Sequence, residues 1–134
     1  MKVVFDTNMF VSVFLVPGSH GEQALLLAHR RKVDLYSSVP ILTETARVLR
    51  TKFDQPEKNI TAALKMIGRM ATIVRPSRKV TVLEDVPDNR ILECAVTAGA
   101  DLIVTGDHRL LALNAFEEIA IVRLADFLRT IPPE

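Results

Sequence analysis

Four carboxylates draw attention by where they fall. Asp6 closes the apolar run Val3-Val4-Phe5, and Asp107 follows Leu102-Ile103-Val104-Thr105 after a single glycine. Asp88 precedes apolar residues recurring at helical spacing, Ile91, Leu92, Ala95, Val96 and Ala98, and Glu44 lies in the opening turns of a segment that starts Ser38-Val39-Pro40. Taken singly, each has an ordinary explanation: an Asx turn at Asp6, helix N-caps at Asp88 and Asp107, a solvated or dipole-complementing glutamate at Glu44. Gathered in one place they would repel and raise one another's pKa unless a cation neutralised them. A divalent ion would make sense of the set. Oxygen donors without Cys or paired His suit Mg²⁺ or Mn²⁺ better than zinc, and His20, His29 and His108 are not spaced like a zinc pair. Mg²⁺ held by few carboxylates completes its shell with water and phosphate oxygens, so the expected substrate contains phosphate.

The elements that must position these acids can be read from periodicity. Pro87-Asp88 as a start and Gly99 as a stop predict a helix over Asn89–Ala98, and the β-branched run Leu102–Thr105 predicts a buried strand. A join this short turns the helix back along the strand. Both elements are roughly 15 Å long, so Asp88 and Asp107 meet at the same edge. Elsewhere the pattern predicts a strand over Val3–Phe5, a helical turn or two over Met9–Val16, and a helix over Glu22–Arg31. A strand over Asp34–Ser37 precedes a helix from Ser38-Val39-Pro40 to Lys52, and another helix runs from Gln55-Pro56 to Met70. A strand over Ala71–Val74, an irregular stretch to Val86, a short helix over His108–Asn114, a last strand over Ala120–Leu124 and a terminal turn over Ala125–Thr130 complete the reading. Strands alternating with helices predict one α/β domain over residues 1–134, with a mostly parallel sheet of four or five strands. Ligands gather at the carboxyl ends of such strands, and connectivity alone brings all four acids there.

Composition sets wide limits. The chain has 134 residues, 49% of them hydrophobic, enough for a substantial core, and a formal net charge of +1 that is silent about polyanionic partners. One cysteine, Cys94, excludes a disulfide framework and points to a reducing, cytoplasmic location. No apolar run is long enough to span a membrane, and no signal peptide is expected.

The ordered motifs carry a resemblance. Asp6-Thr7-Asn8 after the first strand, Ile41-Leu42-Thr43-Glu44 in a helix, Pro87-Asp88-Asn89-Arg90-Ile91-Leu92 opening another, and Val104-Thr105-Gly106-Asp107 ending a strand resemble a PIN domain over essentially the whole chain. That resemblance implies an α/β/α sandwich and a family of metal-dependent nucleases, mostly endoribonucleases, many of them toxins of VapC-type toxin–antitoxin pairs. It implies Asp6, Glu44, Asp88 and Asp107 as the acidic set, supported from behind by Asn8 and the Thr105 hydroxyl. The expected cofactor is Mg²⁺ or Mn²⁺, as one ion or two. Asp6, Asp88 and Asp107 would be ligands, and Glu44 would complete the shell or orient water. Expected partners are an RNA substrate, a second copy of the chain and a small antitoxin protein. Arg90 and Arg109, each close in sequence to an acid, are candidate phosphate contacts. Arg47, Arg50 and Lys52 read first as a solvated helix face, and Pro17–Gly21 as a substrate-facing lip. The competing expectation is a non-catalytic module that binds RNA or protein and keeps the acids as relics. A haloacid-dehalogenase-like phosphatase would need a second Asp where Asn8 stands.

Overall fold

The computed structural model describes residues 1–132. In chain order it forms β1 (Lys2–Phe5), α1 (Thr7–Leu15), α2 (His20–His29), β2 (Asp34–Ser38), α3 (Val39–Thr51), α4 (Glu57–Met70) and β3 (Ala71–Val74). Then follow α5 (Val86–Ala98), β4 (Leu102–Val104), α6 (His108–Leu113), β5 (Ala115–Phe116), β6 (Ile119–Val122) and α7 (Leu124–Thr130). The strands make one sheet in the order β3-β2-β1-β4-β6-β5. Every pairing is parallel except that of β5 with β6. The chain steps outward from β1 through β2 to β3, then returns to β1's other side as β4. Strand order therefore reverses at β1, the position where open sheets leave a crevice for ligands.

The α/β architecture with a mostly parallel central sheet is the one expected, and its parallel strands are those predicted. The sheet has one strand more. That sixth strand, β5, is a two-residue antiparallel edge joined to β6 by a turn over Glu117 and Glu118, which have φ of 48° and 72°. Two left-handed residues in a two-residue hairpin normally call for Asn or Gly. A Glu-Glu pair gives no such signal, and the sequence reading passed over the hairpin.

Burial follows the expected pattern. Val3, Val4, Phe5, Ile103 and Val104 form the buried middle of the sheet, with Phe10, Leu92, Leu110 and Phe127 packed on it. Fully burying a side chain of this size contributes about 1.5–3 kcal/mol. A second cluster joins α1, α3 and α4 through Val11, Ala46, Leu49, Ile60 and Ala63. Cys94 is buried as a small apolar group, its thiol pushed up to about 12 by burial. No helix among the described residues is long and apolar enough to cross a membrane.

The return from α5 to β4 is as tight as expected. Gly99, at φ 65°, takes the left-handed conformation that ends α5, and its N–H and that of Ala100 bond Val96 and Ala95. The start of α5 differs from expectation. Val86, not Asn89, is its first residue, and the cap is Asp85, whose side chain accepts the Asp88 N–H at 3.3 Å. Pro87 explains the shift. Proline lacks an N–H and fits the first turn, where none is needed, so the cap lies before it. Asp88 is therefore inside the first turn and its carboxylate is not spent on capping.

Candidate functional site

Each acid reaches the carboxyl edge of the sheet by a local rule. Asp6 leaves β1 and caps α1, with Oδ1 accepting the Met9 N–H at 2.9 Å. Its Oδ2 accepts the Thr105 hydroxyl, and its own N–H bonds the Val104 carbonyl at 3.2 Å, tying the ends of β1 and β4 together. Asp107 caps α6 through the Arg109 N–H at 2.7 Å, and its backbone N–H donates to Thr105 Oγ1 at 2.9 Å. Glu44, in α3, is held by Arg47 through contacts of 2.6 and 3.0 Å. Asp88 differs from the others: its Oδ2 is buried and accepts no hydrogen bond.

These side chains line one cleft of about 160 Å³, with Asn8 at its wall. The structure thus brings Asp6, Glu44, Asp88 and Asp107 together, and it keeps Thr105 buried directly behind Asp6 and Asp107. Asp85, Arg47, Lys52 and Arg109 complete the polar wall. Arg109 ion-pairs with Asp85 at 3.2 Å and with Asp88 and Asp107 at 3.6 Å each.

Electrostatics follow from this crowding. Burial raises the Asp6 carboxyl above its ordinary range, against the Thr105 and Met9 hydrogen bonds that lower it, and the Asp107 charge adds to the rise. Asp88 is pushed up to about 6, first by burial and then by the Asp107 and Asp85 charges, which Arg109 offsets in part. The same acids, Asp107 foremost, hold the Arg109 guanidinium above its ordinary value. A site that leaves a buried carboxylate oxygen without a hydrogen bond, and whose acids offer only oxygen ligands, fits a hard divalent cation. Among the described residues, no three acidic, His or Cys side chains converge as closely as the ligands of a bound ion. Arg109 reaches between them instead.

Two expected contacts need adjustment. Arg90 does not reach the cleft; it is paired with the buried Glu93 one turn along α5. Residues two apart on a helix point about 200° from one another, so Arg90 faces away from Asp88. Arg47 and Lys52, read first as a solvated face, border the cleft, while Arg50 pairs with Glu57 at 2.5 Å. Sequence reasoning missed Asp85, although Asp85-Val86-Pro87 is a cap followed by a first-turn proline. It also missed Arg123. That side chain lines a second hollow of about 480 Å³, on the other side of Asp6, together with Ser19, His20 and Gly21 of the expected lip. A larger hollow, about 660 Å³, is a mostly apolar groove between α1, α2 and α4 and contains none of the four acids.

Comparison with known proteins gives independent findings. A sequence model of the PIN domain matches residues 2–109. The uncharacterized protein MJ1680 of Methanocaldococcus jannaschii is 31% identical over 118 residues, which span 85% of this chain and 76% of that protein. Among solved structures, VapBC2 from Rickettsia felis, bound to a DNA fragment from its promoter, is similar with a TM-score of 0.66 at 17% identity, covering 92% of this chain and 98% of that one. VapC20 of Mycobacterium tuberculosis, a sarcin-ricin loop cleaving toxin, is similar with a TM-score of 0.62 at 13% identity, covering 88% and 98%. At these identities the structural likeness speaks for the fold.

Proposed function

The chain belongs to the PIN domain family, and from that footing we propose that it is a divalent-metal-dependent endoribonuclease, the toxin half of a toxin–antitoxin pair. The observation that carries this reading is the meeting of Asp6, Glu44, Asp88 and Asp107 in one cleft, with a buried oxygen on Asp88 that accepts no hydrogen bond. Asp6, Asp88 and Asp107 would hold Mg²⁺ or Mn²⁺, with Glu44 completing the set or orienting the attacking water. A bound ion supplies water activation and neutralises charge on the leaving oxygen of a phosphodiester.

The chain's own residues do the rest. Thr105 fixes one oxygen of Asp6 and the backbone of Asp107, so two of the acids keep a constant separation. Arg47 holds Glu44 in place from the rim. Arg47, Lys52 and Arg109 bring cationic groups to the cleft, where phosphate oxygens of an RNA strand would lie. An RNA substrate, a second copy of the chain and a small antitoxin belong to the same reading. The likeness to VapBC2 supports the antitoxin as a partner to look for.

Cleavage of a mixed RNA pool with and without Mg²⁺ or Mn²⁺ tests it, alongside Asp6→Asn. Metal-dependent cutting abolished by the substitution is expected. RNA that binds and survives with metal present, or an Asn variant as fast as the parent, would overturn it in favour of a non-catalytic module.

A further inference from the structure

Two of the three acids that Arg109 touches, Asp88 and Asp107, are those assigned to the ion; the third and nearest, Asp85, is not. We propose that Arg109 is a built-in counter-cation that occupies the acid edge in the metal-free protein and must yield to the divalent ion, keeping Asp85 as its resting partner. This rests on the metal-dependent reading above and adds a residue that opposes the ion it makes room for.

The geometry distinguishes a place-holder from a structural bridge. Arg109 Nε is 3.6 Å from Asp88 Oδ2, beyond a hydrogen bond, and that oxygen remains unpaired. The guanidinium therefore offsets the charge of Asp88 without satisfying the lone pairs of that oxygen. A structural bridge would be buried and bonded; the Arg109 side chain is 60% exposed. Its reach matters too. Asp85 caps α5 from outside the ligand set, so a side chain that lets go of Asp88 and Asp107 still has an anionic partner at 3.2 Å. Arg109 lines the cleft, and its planar fork suits two oxygens of a phosphate. Arg109 and a divalent ion carry like charges and need the same oxygens, so each must weaken the other.

That competition gives opposite signs to two measurements. Titration calorimetry with Mn²⁺ should show Arg109→Gln binding the ion about three- to tenfold more tightly than the parent, the scale set by losing weak, exposed ion pairs. Thermal melting of the metal-free variant should fall below the parent's, and excess Mn²⁺ should raise it by more than it raises the parent. Arg109→Lys, which keeps the charge, should stay near the parent in both. If Arg109→Gln binds Mn²⁺ equally or more weakly, Arg109 is not a competitor and the proposal fails. If the parent binds no Mn²⁺ at all, the metal reading fails with it. If the variant binds more tightly while the parent leaves RNA uncut, the nuclease reading falls and the counter-cation stands.

Discussion

The Thr105 hydroxyl stands between Asp6 and Asp107, donating to Oδ2 of the first and accepting the backbone N–H of the second. Thr105 is 1% exposed, so neither bond can be replaced by bulk water. Thr105→Val keeps the shape and removes both bonds. A buried oxygen and a backbone donor lose their partner, which should cost about 1–3 kcal/mol by urea denaturation. Thr105→Ser should recover most of it. If the valine variant is as stable as the parent, the hydroxyl does not order the two acids.

The pH dependence of the metal-free protein follows from Asp88. Its carboxyl is raised from the ordinary 3.8 to about 6, chiefly by burial and then by the Asp107 and Asp85 charges. Between those values the native state holds a proton that the unfolded chain has released. Stability therefore falls as pH rises through that window and levels off above it. Asp6, raised by burial, adds a slope of the same sign. Asp88→Asn should flatten the profile in denaturant titrations at stepped pH. Mn²⁺ affinity should run the other way, weakening as pH drops below about 6 and the carboxyl keeps its proton.

Arg90 belongs to a different task. Burial alone would raise the Glu93 carboxyl, yet the Val80 N–H at 2.8 Å and Arg90 together hold it below its ordinary range. Glu93 thereby ties the stretch after β3 to α5. Arg90→Gln should leave RNA cleavage at the parent's rate and lower stability by about 1 kcal/mol. A large loss of cleavage with unchanged stability would return Arg90 to the substrate path.

The β5–β6 hairpin carries removable strain. Glu117 is held by Arg78, which also lies over the Phe116 ring at 6.0 Å, but among the described residues no such contact is seen for Glu118 at φ 72°. Glu118→Gly should stabilise the protein by about 0.5–1 kcal/mol, as relief of the left-handed backbone outweighs glycine's entropy. Thermal melting checks the sign.

How much of this was legible in the sequence depended on whether the signal was local. An apolar run ended by Asp6, and another ended by Gly106-Asp107, mark strand ends within a few residues, so the parallel strands and their acids could be placed by connectivity. Asp88 was placed at the right edge although the helix start was read late. The edge depends only on which end of α5 is meant, whereas the cap depends on how Pro87 is accommodated. Side-chain direction was less legible. Arg90 and Arg109 looked alike by proximity in sequence, and only helical phase separates them. Asp85 became visible once Pro87 was allowed inside the first turn. The Glu-Glu turn offered nothing to read, because its conformation is imposed by pairing across β5 and β6.

The pairing of β1 has a consequence for how the protein is made. Val3 pairs with Leu35 on one side and with Leu102 on the other. A growing chain can lay β2 against β1 early, but Asp6 waits for a hydroxyl 99 positions downstream. Until Thr105 has left the ribosome, the first acid has neither its hydroxyl donor nor the company of Asp107. The ribosome thus releases a chain whose acid edge is assembled only when most of its residues are already outside.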